Sequence, residues 1–333
     1  MHPPLARMSS SATAASTSSP ASVSKLVSGH WLHENLSRVR VLDCSWHLPI
    51  AKRDAKSEFL EEHIPGSQFF DIDTVKDMAR TDLPHMLPPP EFFATTMDRF
   101  RIANGDHVVV YDSSGVGPAC RVFWTFHTMG HSRVSVLNGG LPAWKALGYK
   151  TESSQNGPPD GAGAHTLPSS DRGVEVGRVR YVAHPEKSLV SNYTDVVLNI
   201  EELKASDGAK GKQIVDARPH ARFTGEAPEF RPGLSSGHMP KAINVPSTEM
   251  TKVDATTGAN MLKSPEEIRH AFEAAGVDLH RPIITTCGSG VTASVLYFAL
   301  LNAGVPQKEL TLFDGSWTEY ALNPYSEIIK DHQ

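Results

Sequence analysis

One order of motifs occurs twice along the 333 residues. In the first half the β-branched run Val39-Arg40-Val41-Leu42-Asp43 is followed by His63-Ile64-Pro65-Gly66-Ser67. In the second half Gln213-Ile214-Val215-Asp216-Ala217-Arg218 is followed by Gly237-His238-Met239-Pro240. His107 to Val116 then matches Pro282 to Val291, and Leu137-Asn138-Gly139-Gly140 with Trp144 matches Phe313-Asp314-Gly315-Ser316-Trp317. The offset stays near 175 residues throughout. Matches that keep one order and one offset mark a duplicated unit, and a unit of this size is a domain. Within each unit short β-rich runs alternate with helical stretches. That pattern predicts an α/β fold, a parallel sheet with helices on both faces and right-handed crossovers between strands. Reactive loops in such folds lie beyond the carboxyl ends of strands.

The expected boundaries are 25–151 for the first unit and 190–333 for the second. Residues 152–189 read as a linker, because Glu152 to about Arg178 is rich in Ser, Gly, Pro and Asp. Residues 1–24 are rich in Ser, Ala and Thr, with Arg7 and no acidic side chain before Glu34. They read as a disordered extension or a transit peptide, which gives a mitochondrial location with a cytoplasmic one as the alternative. A formal net charge of −5 without a basic stripe argues against nucleic-acid or membrane-surface binding. No apolar run approaches the roughly 18 residues of a spanning helix. The three cysteines (Cys44, Cys120 and Cys287) are too few for a disulfide scaffold and match no zinc spacing. No metal and no cofactor are expected.

The second unit holds a feature that the first lacks. Ile283-Ile284-Thr285-Thr286 reads as a buried strand, and Val291 to Ala303, closed by Gly304, as a buried helix. Cys287-Gly288-Ser289-Gly290 forms the turn between them. Amides at a helix start favour a thiolate over a thiol, and Gly288 and Gly290 let the backbone curl closely around the anion. Cys287 therefore reads as a nucleophile. Its counterpart in the first unit is Asp112, which cannot act as a sulfur nucleophile. The first unit is expected to be catalytically silent and to form one wall of a cleft. Cys44 and Cys120 read as core thiols. His63 and His238 recur in both units, which points to a structural turn. A Cys-dependent phosphatase would need an arginine six residues beyond the cysteine, where Ala293 stands. A non-catalytic binding module would have no use for Cys287.

The ordered motifs resemble those of the tandem rhodanese-domain family, the 3-mercaptopyruvate and thiosulfate sulfurtransferases. Besides Cys287-Gly288-Ser289-Gly290-Val291-Thr292, the matching segments are Glu62 to Gly66, Phe69 to Asp73, Pro84 to Pro88 and Asp314 to Trp317. The likeness spans about Val23 to Tyr320. It implies sulfur transfer from 3-mercaptopyruvate through a Cys287 persulfide, with release of pyruvate. It also implies a relay of Ser289, His85 and Asp73 across the domain interface, with Asp71 as the alternative orienting partner of His85. Arg222 and Arg231 match the family's substrate arginines, with Gly288, Gly290, Val291 and Thr292 as further substrate contacts. Arg218 is expected to be structural, bonding loop carbonyls. Trp46 lines the cleft or packs in the core. Thiosulfate sulfurtransferases typically carry basic residues after the cysteine, and this loop has none. A thiosulfate-preferring enzyme remains the alternative. The acceptors compatible with the family are thioredoxin, small thiols and cyanide. The segment Ser113 to Ala119 lacks an aromatic residue that relatives often carry, which implies a wider or less apolar cleft there.

Overall fold

A computed structural model describes residues 23–154 and 180–331. Nearly all of the expected N-terminal extension, and most of the linker, lie outside the described residues.

Each unit is laid down in the same order. The first runs β1 (Leu26–Val27), α1 (Gly29–Asn35), β2 (Arg40–Asp43), α2 (Ala55–Glu61), β3 (Gln68–Phe69), α3 (Pro90–Arg99), β4 (Val108–Tyr111), α4 (Pro118–Thr128), β5 (Val134–Leu137) and α5 (Gly140–Ala146). The second runs β6 (Val190–Ser191), α6 (Tyr193–Ala205), β7 (Gln213–Asp216), α7 (His220–Thr224) and β8 (Ile243–Asn244). A small antiparallel hairpin follows, β9 (Thr251–Val253) and β10 (Asn260–Leu262). The unit closes with α8 (Pro265–Ala274), β11 (Ile283–Thr286), α9 (Val291–Asn302), β12 (Leu310–Phe313) and α10 (Ser316–Leu322). The five-stranded sheets are β1-β5-β4-β2-β3 and β6-β12-β11-β7-β8, every pairing parallel. Crossing helices cover both faces. The α/β class and the parallel sheets read from the sequence are those found.

The period of two along a strand decides which helix each residue meets. On β2 and β4, Leu42, Val108 and Val110 join the cluster that contains α3 and α4. Their neighbours Val41, Val109 and Tyr111 join the one with Leu32 and Trp144 on the other face. The second sheet repeats this, with Val215 and Ile283 on one side and Ile214 and Ile284 on the other. The inner clusters of the two units are continuous. The link is α4 against α9, where Phe123 meets Phe298 edge to face at 4.8 Å between centroids. Cys44 and Cys120 are buried in this shared core.

The ends of the linker pack on the first unit. Glu152 bridges to His63, and Tyr181 is buried against Phe93 and His131. His63 and His238 occupy equivalent turns. Each imidazole bonds a nearby carbonyl, of Phe59 and of Met239, and stacks on a phenylalanine, Phe59 and Phe223. That stacking pairs α2 with α7 and places Glu58 where the second unit has Arg222.

The units face one another about a pseudo-twofold axis. His85 of the first unit reaches the second unit's loop at Ser289, and its counterpart Asn260 abuts Gly115 in the first unit's loop. Leu87 donates its amide to Asp314 Oδ2, and its counterpart Leu262 donates to Asn138 Oδ1. Ser113 to Ala119 accordingly faces the hairpin β9–β10. None of its residues lines the cavity at Cys287, so the missing aromatic residue leaves that cleft unaltered.

Candidate active site

Cys287 follows the last residue of β11, and Gly290 caps the start of α9 with φ of +82°, a left-handed conformation that favours glycine. The loop is held from behind by the start of α10. The Cys287 carbonyl accepts from Trp317 N at 2.8 Å, and the Gly288 carbonyl accepts from Thr318 N and Thr318 Oγ1 at 3.0 and 2.6 Å. Cys287 N donates to Ser316 Oγ at 3.2 Å.

Asp112 shows what this type of loop does with an anion. Its Oδ1 accepts from Ser114 N, Ser114 Oγ and Gly115 N, and its Oδ2 from Gly117 N and Ala119 N, all between 2.6 and 3.0 Å. The loop and the start of α4 form a cradle for negative charge, and the first unit fills it with its own carboxylate. In the second unit the cysteine takes that place.

Cys287 is only 1 % exposed, yet it lines a cavity of about 380 Å³ between the units. Gly288, Ser289, Val291 and Thr292 line the same cavity, with Arg218, Arg222, Glu229 and Arg231 across from them. The first unit contributes Trp46, Leu48, Pro49 and Ile50. Exposed Ile50 and Phe230 stand among the walls, so the space opens to solvent. Gly290 is not a wall residue. It backs onto the first unit, where a Cβ would lie 2.7 Å from Arg121 Nη1.

The arginines are fixed by acids. Arg218 binds Asp216 and Glu229, donates to the Gly237 carbonyl at 2.8 Å and lies over Trp317. It bonds the loop carbonyl as expected, and it also lines the cavity. Arg222 binds Glu229 Oε2 at 2.6 Å, lies over Phe230, and comes within 3.3 Å of a Cβ built on Gly288. Arg231 donates to Thr318 Oγ1 at 3.3 Å. Burial pushes its guanidinium down, and the charges of Cys287 and Glu229 oppose that shift. Three guanidiniums against the carboxylates of Asp216 and Glu229 leave a positive excess beside the sulfur, which suits an anionic substrate.

Behind Ser289 the units meet. Ser289 Oγ lies 3.3 Å from His85 Nδ1, and His85 Nε2 lies 2.9 Å from Asp73 Oδ1. The carboxylate fixes the tautomer: Nε2 carries the proton, and Nδ1 accepts from the hydroxyl. Trp46 donates its indole N–H to Asp73 Oδ2 at 2.8 Å and sets its ring edge against His85. Asp71 instead accepts from the Asp73 amide in the local turn. Burial lowers the His85 pKa, Asp73 raises it, and Arg121 and Arg231 lower it further. Sequence reasoning missed Glu229 and the hydrogen bond from Trp46. Glu229 stands in the segment Pro228-Glu229-Phe230-Arg231, and its place two residues before an arginine was the available signal. Among the described residues no group of His, Cys, Asp and Glu could hold a metal ion, and no helix is long and apolar enough to cross a membrane.

A duplicated parallel α/β unit, with a cysteine loop at a strand's carboxyl end beside a cavity between the units, defines a tandem-domain α/β protein with a candidate thiol nucleophile. The chain belongs to the rhodanese-like domain family, which matches residues 28–147 and 199–323, and within it to the two-domain sulfurtransferases. It is 40% identical over 290 residues to a probable 3-mercaptopyruvate sulfurtransferase of Schizosaccharomyces pombe, covering 87% of this chain and 88% of that one. It is 38% identical over 314 residues to the mitochondrial thiosulfate/3-mercaptopyruvate sulfurtransferase 1 of Arabidopsis thaliana, covering 93% and 79%. The crystal structure of SseA, a 3-mercaptopyruvate sulfotransferase of Escherichia coli, superposes with a TM-score of 0.70 at 34% identity, covering 89% and 99%. The paired rhodanese-like domains and the sulfurtransferase activity read from the sequence are those the relatives show.

Proposed function

We propose that the protein moves sulfur from 3-mercaptopyruvate to a thiol acceptor through a persulfide on Cys287. The observation that carries this reading is the convergence on one cavity of Cys287, the arginines and Ser289, with His85 of the other unit behind the hydroxyl. Arg222 and Arg231 hold the carboxylate and keto oxygen of the donor, because a planar guanidinium offers parallel donors to such oxygens. The wall amides and side chains of Gly288, Val291 and Thr292 complete the pocket, and Gly290 acts from behind it. The Cys287 thiolate attacks the donor's sulfur. The carbon–sulfur bond breaks and its electron pair leaves on carbon as pyruvate enolate. The donor's thiol proton ends on that carbon, carried by Ser289 and His85 with Asp73 holding the ring. An acceptor thiolate then takes the outer sulfur and Cys287 leaves as thiolate.

Thioredoxin, small thiols and cyanide are the acceptors this chemistry admits, and no cofactor takes part. The shared name of the Arabidopsis relative keeps thiosulfate as a second donor. Arg222 over the loop supports slow thiosulfate turnover, while the absence of a cation within the loop favours mercaptopyruvate. A mitochondrial location fits the Ser- and Ala-rich N-terminus and that relative's address, and a cytoplasmic one is the alternative.

Incubation with 3-mercaptopyruvate adds the mass of one sulfur atom to the peptide containing Cys287, and Cys287→Ser removes both the adduct and turnover. Unmodified Cys287 in an active enzyme overturns the persulfide. A higher kcat/KM for thiosulfate overturns the choice of donor.

A further inference from the structure

The pseudo-twofold axis places two equivalent contacts between the units, and they differ in charge. On the silent side Leu262 N bonds Asn138 Oδ1 at 2.9 Å, and the α9 residue matching Arg121 by the repeat offset is Leu296, fully buried. On the catalytic side the matching acceptor is Asp314, which takes Leu87 N on Oδ2 at 2.7 Å. Its Oδ1 takes Arg121 Nη2, also at 2.7 Å, and both side chains are almost wholly buried. The same Nη2 donates to the carbonyl of His85. His85 has φ of +58°, a conformation that non-glycine residues hold only where their surroundings impose it. Arg121 Nη1 has no hydrogen-bond partner among the described residues and points at Gly290, where a Cβ would lie 2.7 Å away.

We infer that the Arg121–Asp314 pair is a positioning device for His85, present only at the catalytic one of two pseudo-equivalent contacts. Asp314 belongs to the second unit, in the turn before α10, and Arg121 to α4 of the first. Together they fix both ends of His85 to Leu87 against the loop that carries Cys287, so the Nδ1 of His85 meets Ser289. Neither side chain lines the cavity, and they act through the backbone, Arg121 at the carbonyl of His85 and Asp314 at the amide of Leu87. A pair kept only for cohesion would serve the silent contact equally well, yet there its place is taken by leucine and asparagine.

The inference rests on the relay proposed above, and its test separates the two. The double variant Arg121→Leu, Asp314→Asn copies the silent contact, so it keeps the fold and leaves no buried charge unpaired. Steady-state kinetics with 3-mercaptopyruvate are expected to show kcat reduced at least tenfold and KM within about threefold of the parent. Arg121→Lys, which keeps the cation and one donor, is expected to recover part of that kcat. If the double variant turns over at the parent rate while His85→Gln is slow, the positioning role is wrong and the relay stands. If His85→Gln itself turns over at the parent rate, the relay is wrong and the inference falls with it. Should the double variant unfold, Arg121→Met with Asp314→Asn, which also leaves no buried charge unpaired, carries the test, with parent kcat overturning the role and reduced kcat at constant KM supporting it.

Discussion

Glu229 holds two arginines at once, Arg218 through Oε1 at 2.8 Å and Arg222 through Oε2 at 2.6 Å. Such a bridge sets the direction of the Arg222 fork before substrate arrives, so the ordering cost is met on folding. Glu229→Gln leaves the shape and removes the charge. One charge-assisted hydrogen bond is worth roughly 1.5–3 kcal/mol. Part of this is lost with the charge, and KM for 3-mercaptopyruvate is expected to rise about tenfold. Arg222→Ala raises it further, since the fork itself is gone. A KM for Glu229→Gln equal to the parent value would show that Arg222 needs no support. At this scale the sequence is informative where a motif carries the residue. Cys287, Ser289, His85, Asp73, Arg222 and Arg231 all lie in such segments and all meet in or behind one cavity. Asp314 lies in the matching segment Asp314 to Trp317, yet its role, like those of Glu229 and Arg121, rests on side-chain geometry that spacing does not encode. An arginine inside an apolar helix such as α4 shows its importance only when the buried acid opposite it is seen.

The two loops after β4 and β11 stand at equivalent places in the two units and hold different side chains, Asp112 in the first and Cys287 in the second. The loop of the first unit is closed by its own carboxylate, which fixes Ser114, Gly115, Gly117 and Ala119 through their amides. Asp112→Asn replaces one acceptor oxygen by an NH₂ group that must face N–H donors. It leaves buried amides unpaired, at about 1–3 kcal/mol each. Thermal unfolding is expected to shift down by several degrees, on the scale of roughly 2–4 °C per kcal/mol for a domain of this size. Cys287 should still accept sulfur, because the second loop is held separately by α10. Loss of persulfide formation in Asp112→Asn would show that the loop after β4 supports the one after β11. The strands and the long helix α9 were legible because β-branched runs and a fully apolar stretch have few other solutions. The hairpin β9–β10 was not. Its strands are short and partly exposed, and its purpose lies in what it touches, Asn138, Gly115 and Gly139 of the first unit.

The duplication announces two domains, and the packing joins them into one body. The inner cores merge through α4 and α9, with Phe123 against Phe298 at the centre. Val291 to Ala303 read as a buried helix of its own unit, because an apolar stretch says that a helix is covered and not by which neighbour. A shared core predicts shared unfolding. Scanning calorimetry is expected to show one transition with equal calorimetric and van't Hoff enthalpies, where independent domains would give two. Phe123→Ala, at roughly 3–5 kcal/mol, should lower that single transition or split it, but not shift only half of it. The transition should also fall as pH is lowered. Burial holds His107 and His127 down to about 4, against about 6.5 for an unfolded imidazole. Between those values the unfolded chain binds protons that the folded chain refuses, so stability is lost as pH falls. Asp43, raised to about 6 by burial, protonates first in the folded chain and opposes the trend. Two histidines outweigh one carboxylate, and burial moves His85 and His131 in the same direction as the first pair. The expected record between pH 7 and pH 5 is therefore a single peak moving to lower temperature, and two peaks with separate pH dependences would show that the units are energetically independent.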